Sequence, residues 1–176
     1  MKLHYWGTGA AEGIPSAFCN CKVCREAREK GGRYVRGRSQ VMIDDELLVD
    51  FGAATYQSSL KAGYNLSQLG DVLITHTHED HYYPQELHNR QKGFCYDLKY
   101  PALTLHGSSS IVEKYYDYMA GNGQYLIDQG RVALSVMKPY EKYKIGNFEV
   151  IPLPATHGTV SPFVYVISKN GKTIFY

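Results

Sequence analysis

The chain has 176 residues, of which 44% are hydrophobic and 20% charged, enough for one domain with a buried core. A formal net charge of +2 argues for neither a nucleic-acid nor a membrane partner, and no apolar run approaches the roughly 20 residues that span a bilayer. The N-terminus Met1-Lys2-Leu3-His4-Tyr5-Trp6 reads as a strand and lacks the apolar core of a signal peptide, so a cytoplasmic location is expected. Most of the sixteen tyrosines are expected to pack strands, and some to line a site or an interface.

The strand at residues 2–6 runs into Gly7-Thr8-Gly9, where glycine lets the backbone approach a neighbour closely. No G-x-G-x-x-G pattern follows, so a nucleotide fingerprint is not supported. Cys19, Cys21 and Cys24 form C-x-C-x2-C at the start of a short charged helix over residues 22–30, which Gly31-Gly32 ends. In a reducing compartment, thiols this close point to a structural Zn²⁺ knuckle rather than to disulfides; buried free thiols are the alternative. The local sequence supplies no fourth ligand, and Cys95 qualifies if the fold brings it near.

Residues 39–43 and 46–51 predict a hairpin that turns at Asp44-Asp45, and residues 53–62 a helix stopped by Gly63. The apolar run Val72-Leu73-Ile74 then leads into Thr75-His76-Thr77-His78-Glu79-Asp80-His81. Side chains two apart in an extended backbone point the same way, so His76 and His78 can reach one metal ion together. Asp80 and His81 follow as the chain turns and can reach a second ion beside it. Imidazole and carboxylate at this density suit Zn²⁺, Mn²⁺ or iron. Glu79 alternates away from its neighbours and is expected in solvent.

Pro84–Arg90 reads as a helix with Pro84 in its first turn. Residues 102–106 form a strand, Ser108–Met119 a helix with serine N-cap chemistry, and Gly121-Asn122-Gly123 a loop. Strands follow at 131–137, 141–145 and 148–153. His157 lies in a loop after the last of these, which by itself is weak evidence for a ligand. The closing strands at 163–167 and 172–176 join through Asn170-Gly171, a strong hairpin signal. His4 and His106 are expected to pack within strands, and His88 on its helix.

His76-Thr77-His78-Glu79-Asp80-His81 resembles the H-x-H-x-D-H signature of the metallo-β-lactamase superfamily. The resemblance implies an α/β (α+β) fold of the αββα sandwich type, with residues 1–176 forming one domain that carries the N-terminal half and the start of the second. It implies that His157 completes the first metal site with His76 and His78, and that Asp80 and His81 serve the second. Asp50, at a strand end, corresponds to an aspartate that supports the metal loop from behind; a plain strand-end turn is the alternative reading. The cysteine cluster, Arg33, Arg36, Arg38 and Ser39 resemble the PhnP-like cyclic phosphodiesterase branch, in which a distant histidine completes a structural zinc site. A bridging aspartate and a further histidine stand beyond residue 176 in that pattern, so the chain is expected to be the N-terminal portion of a longer protein.

The activity implied is a metal-dependent hydrolase, a phosphodiesterase acting on a small phosphodiester through water activated by two Zn²⁺ or Mn²⁺ ions, with Asp80 as the catalytic residue that orients the water. Lactonases, thioesterases and RNA-processing nucleases share the ligands, and a non-catalytic metal-binding fragment is the reading from another class. The strand that ends at Tyr176 is expected to suit pairing in a homodimer.

Overall fold

The computed structural model describes residues 1–158 and 160–176 and contains two sheets. The first holds six strands: β1 (Leu3–Gly7), β2 (Gln40–Ile43), β3 (Leu47–Val49), β4 (Asp71–Leu73), β5 (Leu103–Gly107) and β6 (Val132–Val136), side by side in that order. β1 to β3 pair antiparallel, whereas β3 to β6 pair parallel through crossovers. The second sheet is antiparallel, in the order β10-β9-β8-β7, from β7 (Tyr143–Ile145), β8 (Phe148–Pro154), β9 (Phe163–Lys169) and β10 (Lys172–Phe175). Four α-helices lie between strands: α1 (Lys22–Lys30), α2 (Thr55–Ala62), α3 (Ser110–Met119) and α4 (Asn122–Asp128).

The two-residue period of the strands sorts the core into two layers. Met42, Leu48, Val72 and Leu105 point to one face of the first sheet and pack on Ile111, Tyr115 and Met119 of α3 and Leu126 of α4. Val41, Ile43, Leu47, Val49 and Leu73 point to the other face and meet Phe148, Val150, Tyr165 and Ile167 of the second sheet. The central strands are therefore apolar on both faces, as parallel strands covered on both sides must be. The layers run helix, sheet, sheet, which agrees with the mixed fold read from the sequence.

The expected hairpins form, and their tips turn where predicted. Asp44 and Asp45 take φ 52° and 58°, and Asn170 and Gly171 take 51° and 70°, the left-handed pair that a tight hairpin of right-twisted strands needs. Two local readings are corrected, while Pro84–Arg90 is the helix expected, wound in the tighter 3-10 form. Its ends are anchored, by the Tyr83 amide on the Phe51 carbonyl at 2.6 Å and by the Arg90 side chain on the Arg131 and Tyr100 carbonyls. Ser109 makes no side-chain cap at the start of α3; the Ser108 and Ser110 hydroxyls bond to each other at 2.7 Å instead. The loop expected at Gly121-Asn122-Gly123 is the first turn of α4. Gly123 is a packing glycine there: a Cβ would stand 2.7 Å from the Tyr115 ring, and the Tyr115 hydroxyl donates to the Gly123 carbonyl at 2.9 Å.

No helix among the described residues is long and apolar enough to cross a membrane. His106 is buried in β5 with Nε2 2.9 Å from the Asp71 carboxylate, a packing role as expected. Two hydrogen bonds tie the sheets together beside the histidine motif. The buried Tyr165 hydroxyl donates to the Ile74 carbonyl at 2.6 Å, and the Phe163 amide donates to the Thr75 carbonyl at 2.8 Å. Tyr165→Phe is expected to cost about 1–3 kcal/mol, the range for a lost buried hydrogen bond; urea unfolding of the two proteins side by side measures it, and an unchanged midpoint would remove this tie from the account.

Candidate metal centre

The histidine motif sits at the carboxyl end of β4, beside the carboxyl end of β3, where open parallel sheets gather ligand sites. The loop that carries it is docked onto the residues after β3. The Phe51 amide donates to the His81 carbonyl at 2.8 Å, and the Ala53 amide to the Glu79 carbonyl at 3.1 Å. Gly52 permits this approach, since a Cβ on it would stand 1.8 Å from the Asp80 carbonyl oxygen. Asp50 occupies φ 69°, a left-handed conformation that aspartate tolerates better than most residues, and this turns its carboxylate under the motif.

Asp50 is fully buried, and both its oxygens are engaged. Oδ1 accepts from the Thr75 amide and the Thr75 hydroxyl, each at 2.8 Å, and Oδ2 lies 2.6 Å from His81 Nδ1. An ionised carboxylate only accepts, so the Thr75 hydroxyl spends its one proton on Asp50 and accepts from His76 Nδ1, 3.0 Å away. His81 likewise donates through Nδ1. One carboxylate thus places the Nδ1 proton on two imidazoles and turns Nε2 of each away from it, the orientation that metal-binding histidines require; Nε2 of His76 is a lone pair, while Nε2 of His81 faces the Asp80 carboxylate.

His76, His78 and His157 each bring one ring nitrogen to within 4.8 Å of the others. His78 Nδ1 and His157 Nε2 are 3.3 Å apart. Two imidazole nitrogens aimed at each other are favourable when a cation or a proton stands between them, and this donor set fits Zn²⁺ or a similar ion. Burial, together with the neighbouring imidazoles of His81, His78 and His157, pushes the pKa of His76 down to about 4, so its lone pair is available at neutral pH. For His81, burial opposes the proton, but the Asp50 hydrogen bond and the Asp50 and Asp80 charges prevail and raise its pKa.

Asp80 and His81 face each other, with Asp80 Oδ2 3.2 Å from His81 Nε2, and the rings of His76 and His81 are 4.1 Å apart. These two donors adjoin the three-histidine group without joining it. Glu79 is exposed, as expected. A cavity of about 600 Å³ opens over the cluster and is also walled by Ala10, Ala11, Glu12, Phe163 and Tyr176. The sequence reading gave Thr75 no role, and its position directly before H-x-H was the available signal. The loop at residues 10–12 was also missed, because nothing local ties it to histidines far along the chain.

Cys19, Cys21 and Cys24 bring their sulfurs to within 4.8 Å of one another. Arg28 braces this loop by donating to the Cys19 and Ser16 carbonyls, each at 2.7 Å. Hydrogen bonds from the Cys24 backbone and the Cys19 and Cys24 side chains pull the Cys21 thiol down to about 7. The geometry suits a thiolate-bound ion. Cys95 does not join the group; its thiol donates to the Arg90 carbonyl at 3.0 Å.

The sequence profile of the Anti-Pycsar protein Apyc1 family matches residues 40–175. The chain belongs to this family. It is also similar, at 24% identity over 96% of its length, to an octanoyltransferase from Porphyromonas gingivalis, and spans 33% of that curated relative. Among solved structures it resembles Zn²⁺-bound PqqB from Methylobacterium extorquens, with TM-score 0.75 and 18% identity, covering 99% of this chain and 64% of that one. It resembles a diphosphatase from the PhnP family with TM-score 0.71 and 20% identity, covering 94% of this chain and 61% of that one. The shared architecture is the metallo-β-lactamase fold, as the H-x-H-x-D-H motif led us to expect.

Two measurements probe the centre. Asp50→Asn keeps the shape of the side chain but supplies a donor where an acceptor is needed, and is expected to weaken metal binding by about 10–100-fold; calorimetric titration of the metal-free protein with Zn²⁺ reads this directly. In metal-free protein Cys21 is expected to be the first thiol alkylated by iodoacetamide, with a rate that climbs with pH to half its maximum near 7 as the thiolate forms. Peptide mass spectrometry locates the label, and Zn²⁺ is expected to protect the site.

Proposed function

We propose that this chain carries the metal-binding core of a hydrolase acting on phosphodiesters. The observation that carries the reading is the convergence of the His76, His78 and His157 ring nitrogens on one point at the floor of an open cavity. In this reading His76, His78 and His157 hold one Zn²⁺ or Mn²⁺ ion, while Asp80 and His81 contribute to a second. When bound, such ions lower the pKa of a water and neutralise charge that builds on phosphorus. Asp80 accepts a hydrogen bond from the attacking water and so aims it. Asp50 and Thr75 keep the Nδ1 proton on His76 and His81 and turn Nε2 of each away from the Asp50 carboxylate. A cavity of about 600 Å³ suits a small phosphodiester.

The likeness to a PhnP-family diphosphatase, an enzyme named for cleaving a phosphorus–oxygen bond, supports this reading. The cysteine cluster is assigned a structural Zn²⁺ ion at Cys19, Cys21 and Cys24, and four unpaired cysteines suit a reducing cytoplasm. In a homodimer the natural contact is the edge strand β10, whose Phe175 is exposed. The whole protein is proposed to be longer than this chain, with the remaining ligands of the second ion outside residues 1–176.

Elemental analysis by mass spectrometry and turnover of bis(p-nitrophenyl) phosphate test the reading together. His78→Ala is expected to remove one equivalent of metal and to bring diester hydrolysis to background, while Cys21→Ala lowers thermal stability and leaves the catalytic metal in place. Unchanged loading in His78→Ala would refute the ligand assignment, and a preference for lactones or thioesters over diesters would reassign the reaction.

A further inference from the structure

The net charge of +2 conceals a separation of charge. Residues 22–38 carry seven Lys or Arg against two Glu, while the rest of the chain carries twelve against fifteen Asp or Glu. Among the described residues, Lys30 is the one of these seven cations with a carboxylate partner, Glu26. Arg25 and Arg28 donate to backbone carbonyls, Arg36 to the Thr8 hydroxyl and Arg38 to the Ala11 carbonyl. Such partners fix the guanidinium groups in place without neutralising them. All but Arg38 are exposed.

Aromatic rings stand among these cations. Phe18 is fully exposed, and Arg28 bonds to the carbonyls on both sides of it, at Ser16 and Cys19. Tyr34 is 37% exposed, with Lys30 and Arg33 at 4.8 and 5.6 Å from its ring centre. The end of the same segment, residues 36–38, is hydrogen-bonded to the loop that lines the metal cavity. Arg38 Nε holds the Ala11 carbonyl at 2.9 Å and the Gly9 amide donates to Gly37 at 2.7 Å, so residues 10–12, which line the cavity, are fastened to it. The cationic segment is thus joined through Arg38 to the loop that lines the cavity, whose own charged side chain is Glu12.

We propose that residues 16–38 are a binding surface for single-stranded nucleic acid. Unpaired cations attract the phosphates, and exposed rings offer stacking platforms for bases that a duplex would keep covered. An anionic membrane fits less well, because the outward side of α1 carries Glu29 and the partly exposed Glu26 beside Val23 rather than a row of large apolar residues. The weak net charge that argued against such a partner is a sum over two regions of opposite sign. Binding stands independently of the hydrolase reading; that the bound strand is also a substrate rests on it.

The test is fluorescence anisotropy of a labelled 12-nucleotide single-stranded DNA on the full chain, over a series of salt concentrations, with the oligonucleotide's length checked on a gel. Saturable binding is expected, and if five phosphates are engaged at roughly −0.7 each, log affinity falls against log salt with a slope near −3.5. The exposed pair Lys22→Glu and Arg33→Glu is expected to weaken binding by at least about tenfold and to flatten that slope. Phe18→Ala is expected to weaken binding and leave the slope unchanged. Should the charge-reversed protein misfold by circular dichroism, Lys22→Gln with Arg33→Gln replaces it. The proposal is overturned by an absence of binding at low salt, by binding that the charge variants leave untouched, by equal affinity for duplex with no effect of Phe18→Ala, or by capture on phosphatidylserine vesicles without oligonucleotide binding. Binding without cleavage of strand or small diester leaves the surface standing and counts against the hydrolase reading alone.

Discussion

The site depends on one buried carboxylate. Asp50 lies at the end of β3 with no exposed surface, and a buried charge without partners would be costly. Its partners are the Thr75 amide, the Thr75 hydroxyl and the His81 ring, all from the segment that carries the metal-ligand candidates. Stabilising the charge and orienting the histidines are thus the same set of bonds. The left-handed turn at Asp50 and the missing side chain at Gly52 are backbone conditions for it, since they bring the strand end and the motif into contact.

Around that carboxylate the two sheets meet as complementary halves. The first sheet presents the motif at the ends of parallel strands; the second sends His157 from the loop after β8 and covers the motif with the start of β9. The Phe163 amide and the Tyr165 hydroxyl close the seam on the carbonyls of Thr75 and Ile74. The cavity over the histidines opens beside this seam, while apolar residues fill the space between the sheets elsewhere.

Much of this was legible in the chain. The strands followed from alternating or continuous apolar runs, and the turns from Asp44-Asp45, Asn170-Gly171 and Gly63. H-x-H-x-D-H pointed to a metal before any fold was considered. What escaped was non-local. Nothing near Gly123 distinguishes a glycine that loosens a loop from one that lets α4 lie against Tyr115. Thr75 gains its role from Asp50, 25 positions earlier. His157 is an ordinary loop histidine until β8 brings it to His78. The charge of residues 22–38 was visible residue by residue and vanished in the total.

The joining of His157 to His76 and His78 also bears on the energetics of the whole chain. Ligands separated by 79 positions, on opposite sheets, meet once those sheets have docked. An ion that binds there recognises the folded arrangement and gains little from the unfolded chain. By mass action it then acts as a reversible staple across the seam, adding about 2.7 kcal/mol when its free concentration is a hundred times its dissociation constant. The resistance of the sheet-to-sheet contact to opening is therefore a property of the surrounding metal supply as much as of the polypeptide.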